Sequence, residues 1–265
     1  MDYKLKDGDV LIGICDNNEV EKSRLEVVTN IYNNQGYLKD ITNYFLKDDV
    51  NKLIQNNGFD FIKELLSPNQ FYTFLRDGML FLLPDKKQYY IDKFFWQSIN
   101  FYAKTNQGFV GSLRLILSNQ IYRHAVFDLP TKSTLDLNMD NEFSQRIMRV
   151  KAELSQFAKE KFSPTNTMVA LLRAAAQYSF SNSINEWVAI TDNKVLRLLN
   201  SSYFNFGLPI IGNSIYYLGS ESSPILIDIE ASLKSAANKK SSQDVAKYIR
   251  GESLPSFQNC FFALT

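Results

Sequence analysis

The sequence predicts an α/β protein: one mixed β-sheet flanked by helices, with a helical insertion in its first half. Two patterns carry that reading. Strand-like and helix-like segments alternate through the second half of the chain, while two strand-like segments in the first half are joined by the tight turn "TNQG". Alternation argues parallel crossovers and the hairpin argues antiparallel pairing, so the sheet is mixed. Size permits it, because 265 residues at 45% apolar content supply a full core.

Taken in order, "DVLIGICDN" reads as the first strand and "NNEVEKSRLEVVTNIYNNQGYL" as a helix. Asn17 or Asn18 can cap that helix, and Leu25, Val28 and Tyr32 carry its apolar spacing. Residues 40–83 read as an insertion of short helices broken at Gly58 and at Ser67-Pro68. "FFWQSINFYAK" and "GFVGSLRLILS" form the hairpin. Residues 144–158 read as a central strand. "SPTNTMVALLRAAAQYSFS" is a helix with Ser163 as its cap and Pro164 at its first position. Met168, Leu171, Leu172, Ala175 and Tyr178 form its apolar stripe. "EWVAIT" is a short buried strand, Asp192 caps the helix after it, and "IIGNSIYYLG" and "SPILIDIE" close the sheet. The domain so defined spans 1–235. Residues 236–265 read as a peripheral tail with one short helix.

Composition excludes several functions. There are 29 basic and 28 acidic residues, a balance that points to neither nucleic acid nor a membrane surface as a general partner. No segment has the apolar length of a signal peptide or a membrane span, so a soluble cytoplasmic protein is expected. Cys15 and Cys260, far apart in the chain, fit reduced thiols. The chain has one histidine, His124, which excludes a zinc site built on two or three His. A Ser-His-Asp triad would have to use it, and no nucleophile motif accompanies it.

The informative stretch is "VKAELSQFAKEKF", residues 150–162. Val150, Ala152 and Leu154 share one face of a strand, and Lys151, Glu153 and Ser155 share the other. Phe157 then continues the apolar series out of phase. A one-residue slip is the signature of a β-bulge, which re-aims side chains and leaves main-chain groups unpaired. A free amide N–H can donate to a carbonyl oxygen that becomes an oxyanion, and an adjacent carboxylate can take a proton from an attacking amine.

Several stretches, in this order, resemble the acyl-homoserine-lactone synthases and the related N-acyl amino acid synthases. They are "SRLEVVTNIYNNQGYL", "YYIDKFFWQSINFYAKTNQGFVGSLRLIL" with its G-x-x-R-L strand, "AELSQFA", the helix–strand–helix from "LLRAAAQYSF" to "GLPIIG", and "YYLGSESSPILIDI". They cover about two thirds of the chain. The resemblance implies a GNAT-like acyltransferase fold. It also implies transfer of a fatty-acyl group from acyl carrier protein, or from acyl-CoA, to the amino group of an amino acid or amino-acid derivative. No metal or redox cofactor is implied. Glu153 would be the base or hold the base water, and Ser155 with its neighbouring main chain would face the acyl carbonyl. Arg24, Asp92 and Arg114 would order the N-terminal helix and bind the acceptor. Gln156 stands where the family usually has Arg, beside Phe157. Phe101, Leu171 and Trp187, with Phe157, would flank the acyl chain. The Gly-rich pyrophosphate turn of GNAT proteins is replaced by "EKFSPTNTM", which suits an arm delivered on an acidic carrier protein, docked by Lys151, Lys159, Lys161 and Arg173. Two alternatives stand beside this: acyl-CoA-dependent acylation of a small amine, and a non-catalytic acyl- or partner-binding protein of the same fold.

Overall fold

The computed structural model describes residues 4–59, 62–84, 86–118 and 142–263. β1 (Val10–Ile14) leads into α1 (Asn18–Gln35). Next come β2 (Asn43–Phe45), α2 (Asp48–Asn57), α3 (Ile62–Leu65), α4 (Pro68–Asp77), β3 (Met79–Leu82) and β4 (Gln88–Ile91). The hairpin β5 (Ser98–Thr105) and β6 (Gly108–Leu117) follows. The second half runs α5 (Glu142–Arg149), β7 (Ala152–Lys159), α6 (Thr167–Ser181), β8 (Glu186–Asp192), α7 (Asn193–Leu199), β9 (Ile215–Tyr217), β10 (Ser220–Asp228), α8 (Ile229–Ala237), α9 (Gln243–Ile249) and β11 (Cys260–Ala263).

The main sheet has eight strands in the order β11-β1-β5-β6-β7-β8-β10-β9. It is mixed, as expected: β1 pairs parallel with β11 and β7 parallel with β8, and the other neighbours are antiparallel. The hairpin forms through the expected turn, with Thr105 opposite Gly108. α1 lies on one face and α6 on the other. The core under α6 takes Leu113 and Leu115 of β6, Ala152 and Leu154 of β7, and Val169, Leu171, Ala174 and Ala175 of α6 itself. α1 is capped by the Asn17 side chain, which accepts from the Val20 N–H, and ends at Gly36 in the left-handed region. Its buried face carries Leu25 and Val28 but also Glu21 and Arg24.

Four expectations need correction. Residues 142–149 form a helix, so the central strand begins at Ala152 rather than near 144. α6 begins at Thr167. Ser163 and Pro164 belong to the turn before it, where Ser163 Oγ donates to the Glu160 carbonyl and the Thr167 N–H to the Pro164 carbonyl. The 40–83 insertion is not purely helical. β2 and β3 join β4 in a separate three-stranded sheet, because "MLFL" is an apolar run of strand length that finds a partner in Gln88–Ile91. The helices around it close a second core of Phe59, Ile62, Phe74, Phe81 and Tyr89 onto Leu25 of α1.

The segment expected as a peripheral tail, 236–265, is not peripheral over its described residues, 236–263. Val245, Ala246, Tyr248 and Ile249 of α9 are buried in the main core, and β11 is the edge strand beside β1, with Val10 opposite Cys260. The Phe257 ring stacks on Tyr248 at 4.0 Å between centroids. Cys15 and Cys260 are free thiols, as expected. Among the described residues, no helix is long and apolar enough to cross a membrane.

Burial of Phe257 sets the cost of removing its ring. Phe257→Ala should destabilise the protein by about 3 kcal/mol or more in urea unfolding, the usual cost of truncating a core aromatic. A change within about 0.5 kcal/mol, normal for a surface site, would return this segment to the periphery.

Candidate active site

The site originates where two parallel strands separate. β7 and β8 pair only at Ala152 with Trp187 and at Glu153 with Val188. Beyond those pairs a cleft of about 360 Å³ runs through the gap, walled by β7 from Glu153 to Lys159 and by β8 from Ala189 to Asp192. That volume lies within the range of small-molecule sites. Successive residues of a strand aim their amides at opposite edges, so alternate β7 amides face the gap.

The register fault coincides with the parting. Ser112 of β6 sits opposite Ala158, and Arg114 opposite Ser155, so Gln156 and Phe157 together face the single residue Leu113. This is the β-bulge expected from the phase slip. Gln156 takes the left-handed conformation at φ 47, uncommon outside glycine and sustained only where surrounding contacts hold it. The holding contact is Arg24. Its Nη1 donates to Gln156 Oε1 at 2.7 Å and to Ser112 Oγ at 2.9 Å. Its Nε and Nη2 fork onto the Glu21 carboxylate at 3.0 and 2.6 Å, and Asn100 Nδ2 donates to the same carboxylate at 3.2 Å. Arg24 is wholly buried and does not line the cleft. Burial opposes its charge, yet the Glu21 carboxylate beside it leaves its pKa raised. The neighbouring Cys15 thiol is pushed up by burial first and by the Glu21 charge second.

In front of this network lie the polar groups of the cleft. Arg114 grips Asp92 in a two-pronged pair at 2.9 and 2.8 Å, and its Nη2 also donates to Ser155 Oγ at 3.1 Å. Burial opposes the Arg114 charge, and Asp92 keeps its pKa raised. Arg114 Nε is buried without a partner among the described residues. Glu153, 3% exposed, shares the cleft face of β7 with Ser155 and also lines the cleft. Tyrosines make up much of the remaining polar wall. Burial pushes the Tyr32 hydroxyl up to about 12. Burial and a hydrogen bond to Asp192 at 3.0 Å do the same for Tyr37. Tyr217 is raised by burial, then by the Asp92 and Glu153 charges. All three therefore remain protonated near neutral pH. The β9–β10 turn completes the wall. A Cβ at Gly219 (φ +77) would lie 2.7 Å from the Gly36 carbonyl oxygen, so only glycine lets this turn close onto the end of α1.

Of the residues expected at the site, Asp92, Arg114, Glu153, Ser155, Gln156 and Phe157 line the cleft together. Arg24 acts from beneath it. Phe101 and Leu171 do not line the cleft. Phe101 lies on β5, two strands from β7, and both side chains are fully buried core. Trp187 lines a smaller cavity behind the cleft, its indole N–H donating to Ser179 Oγ at 2.9 Å. The four expected docking cations do not form one patch. Lys151 precedes β7 and Lys159 ends it, roughly 25 Å away at strand rise. Arg173 instead stacks over Tyr248 and Phe262 and donates to the carbonyls of Gly251 and Glu252. His124 lies outside the described residues. Sequence reasoning missed Tyr37, Tyr90 and Tyr217, and took Tyr32 for apolar packing. Its spacing marks a buried face without saying that a cleft opens there.

No family model matches this chain, and no curated protein matches it. Among solved structures it is similar to FeeM, an N-acyl amino acid synthase from uncultured soil microbes, at 13% identity, with 89% of this chain and 97% of that one covered and a TM-score of 0.52. It is also similar to BjaI, a CoA-dependent acyl-homoserine lactone synthase, at 12% identity over 97% and 93% of the two chains, with a TM-score of 0.46. LasI, an acyl-homoserine lactone synthase, matches at 14% identity over 88% and 94%, again with a TM-score of 0.46. The likeness to FeeM shows that the chain has the GNAT-like α/β fold expected from its sequence.

The Arg24 network makes a stability prediction. Arg24→Met leaves Glu21 as an uncompensated buried charge and should cost about 3–5 kcal/mol in urea unfolding. Glu21→Met together with Arg24→Met should recover a large part of that loss, since replacing both charges by apolar groups is often near neutral. A single variant as stable as wild type would dissolve the network.

Proposed function

We propose that this chain is an N-acyltransferase that moves a fatty-acyl group from an acyl-carrier-protein thioester to the amino group of an amino acid or amino-acid derivative. One observation carries the reading: Glu153, Ser155 and the Arg114–Asp92 pair meet at the bulge, where β7 leaves β8. The fold shared with an N-acyl amino acid synthase supports it.

In this mechanism the donor arm lies in the β7/β8 gap, where its amides pair with the β7 main chain much as a strand would. The thioester carbonyl reaches the bulge. There an amide N–H near Gln156 and the Ser155 hydroxyl donate to its oxygen as negative charge develops. The acceptor reaches the site as the free amine, its ammonium proton already lost to solvent, and Glu153, directly or through a water, takes the second proton from the attacking nitrogen. The amine nitrogen bonds to the acyl carbon, the carbon–sulfur bond breaks, and the departing thiolate receives a proton by way of Glu153. Atoms balance as amide plus thiol. The acceptor sits on the α1 side, where Arg114, Asp92 and the tyrosine hydroxyls offer donors and acceptors. The Arg114 Nε–H, buried beside them, has no partner among the described residues.

The turn before α6 favours a carrier-borne arm over a free nucleotide. Residues 160–166 contain no glycine, and Pro164 has no N–H to offer a pyrophosphate. Lys159 Nζ already contacts Ser163 Oγ at 3.2 Å.

Release of thiol from acyl carrier protein and from acyl-CoA, across a panel of amino acids, tests this reading. Glu153→Gln should lower kcat by about a hundredfold or more with folding intact. Full activity in that variant removes Glu153 as the base. Absence of thiol release by wild type with both donors and every acceptor overturns the enzyme reading.

A further inference from the structure

Behind the cleft lies a small apolar chamber of about 30 Å³, the cavity that Trp187 lines. Its other walls come from side chains that do not line the cleft, among them Ala176 of α6, Leu233 of α8 and Ile249 of α9. Two side chains, Leu154 and Leu199, line both the chamber and the cleft. Each is buried, at 7% and 3% exposure, so the pair is a partition between two spaces rather than part of the surface.

We infer that Leu154 and Leu199 are the specificity-determining wall against which the tip of the acyl chain stops. The inference rests on the acyltransferase reading and adds what limits its substrate. Leu154 follows Glu153 directly and, by strand alternation, points to the opposite face of β7, into the α6 core. A chain whose carbonyl is held at the bulge has two directions open to it. The α1 side is polar, with Asp92, Arg114 and the tyrosine hydroxyls. The α6 side offers Phe157, Met168, Val195 and Leu198, and Leu154 with Leu199 stands at its end. Desolvation sends the tail that way. The chamber beyond is small, with room for about two water molecules, enough for little more than the end of a chain. Leu199→Ala removes three carbons from the partition and joins the two spaces.

The test uses the whole protein and a ladder of even-numbered saturated acyl donors, in whichever thioester form wild type turns over. Leu199→Ala should lengthen the longest accepted chain by about two to four carbons, with kcat/KM for the longer donors rising about fourfold for each methylene newly housed. Adding Ala176→Leu to that variant should refill the chamber and return the wild-type profile. Should Leu199→Ala fail to fold, Leu199→Val reads the same shift at smaller size. Thermal protection by free saturated fatty acids of graded length gives a second measurement that needs no turnover, and its length optimum should move in the same direction. Unchanged chain-length profiles in variants that still turn over defeat the wall and leave the acyltransferase reading intact. A wild type that turns over no donor defeats that reading instead, and an unshifted fatty-acid optimum then defeats the wall as well.

Discussion

The contact between Arg24 and Gln156 is the constraint on which the site depends. A residue other than glycine stays left-handed inside a strand only if something outside the strand holds it there. Here the holder is a guanidinium wholly sequestered from water, whose charge is balanced by Glu21 on the same helix face. The fault this maintains lets Leu154 and Phe157 both pack toward α6 while Glu153 and Ser155 face the cleft. A bulged strand also bends and twists more strongly than a regular one, which accounts for β7 leaving β8 after two pairs.

The same contact explains why glutamine suits position 156. Its amide oxygen accepts from Arg24 and carries no charge of its own. A second guanidinium in that place would meet Arg24 in a buried setting where like charges repel strongly. The parting then separates two environments: Arg114, Asp92 and tyrosine hydroxyls on one side of the sheet, aliphatic side chains of α6 and α7 on the other. The proposed reaction, which joins a polar amine to an apolar acyl chain, would use both sides of that division.

Much of this was legible because it is local. The phase slip at Phe157, the TNQG hairpin and the Asp192 cap, whose side chain accepts from the Lys194 N–H, are each written within a few residues. What failed is non-local. β11 finds its partner in β1, some 250 residues earlier in the chain, and no period in "CFFALT" announces that. Phe101 and Leu171 were expected beside the acyl chain and lie in the core away from the cleft, because periodicity gives a face and not a distance from the β7/β8 gap. Lys151 and Lys159 lie at opposite ends of β7, and only the length of that strand shows that they do not form one patch. Tyr32 sits on the buried stripe of α1 and reads as packing until the cleft in front of it is seen.

The most direct measurement is a crystal structure with an unreactive donor analogue, an acyl-pantetheine in which a methylene replaces the thioester sulfur. The arm should lie between β7 and β8, with the ketone oxygen about 3 Å from a main-chain N–H at the bulge and the Glu153 carboxylate facing the carbonyl carbon. An arm bound elsewhere, or β7 and β8 paired along their whole length with Gln156 in ordinary strand conformation, would contradict the account.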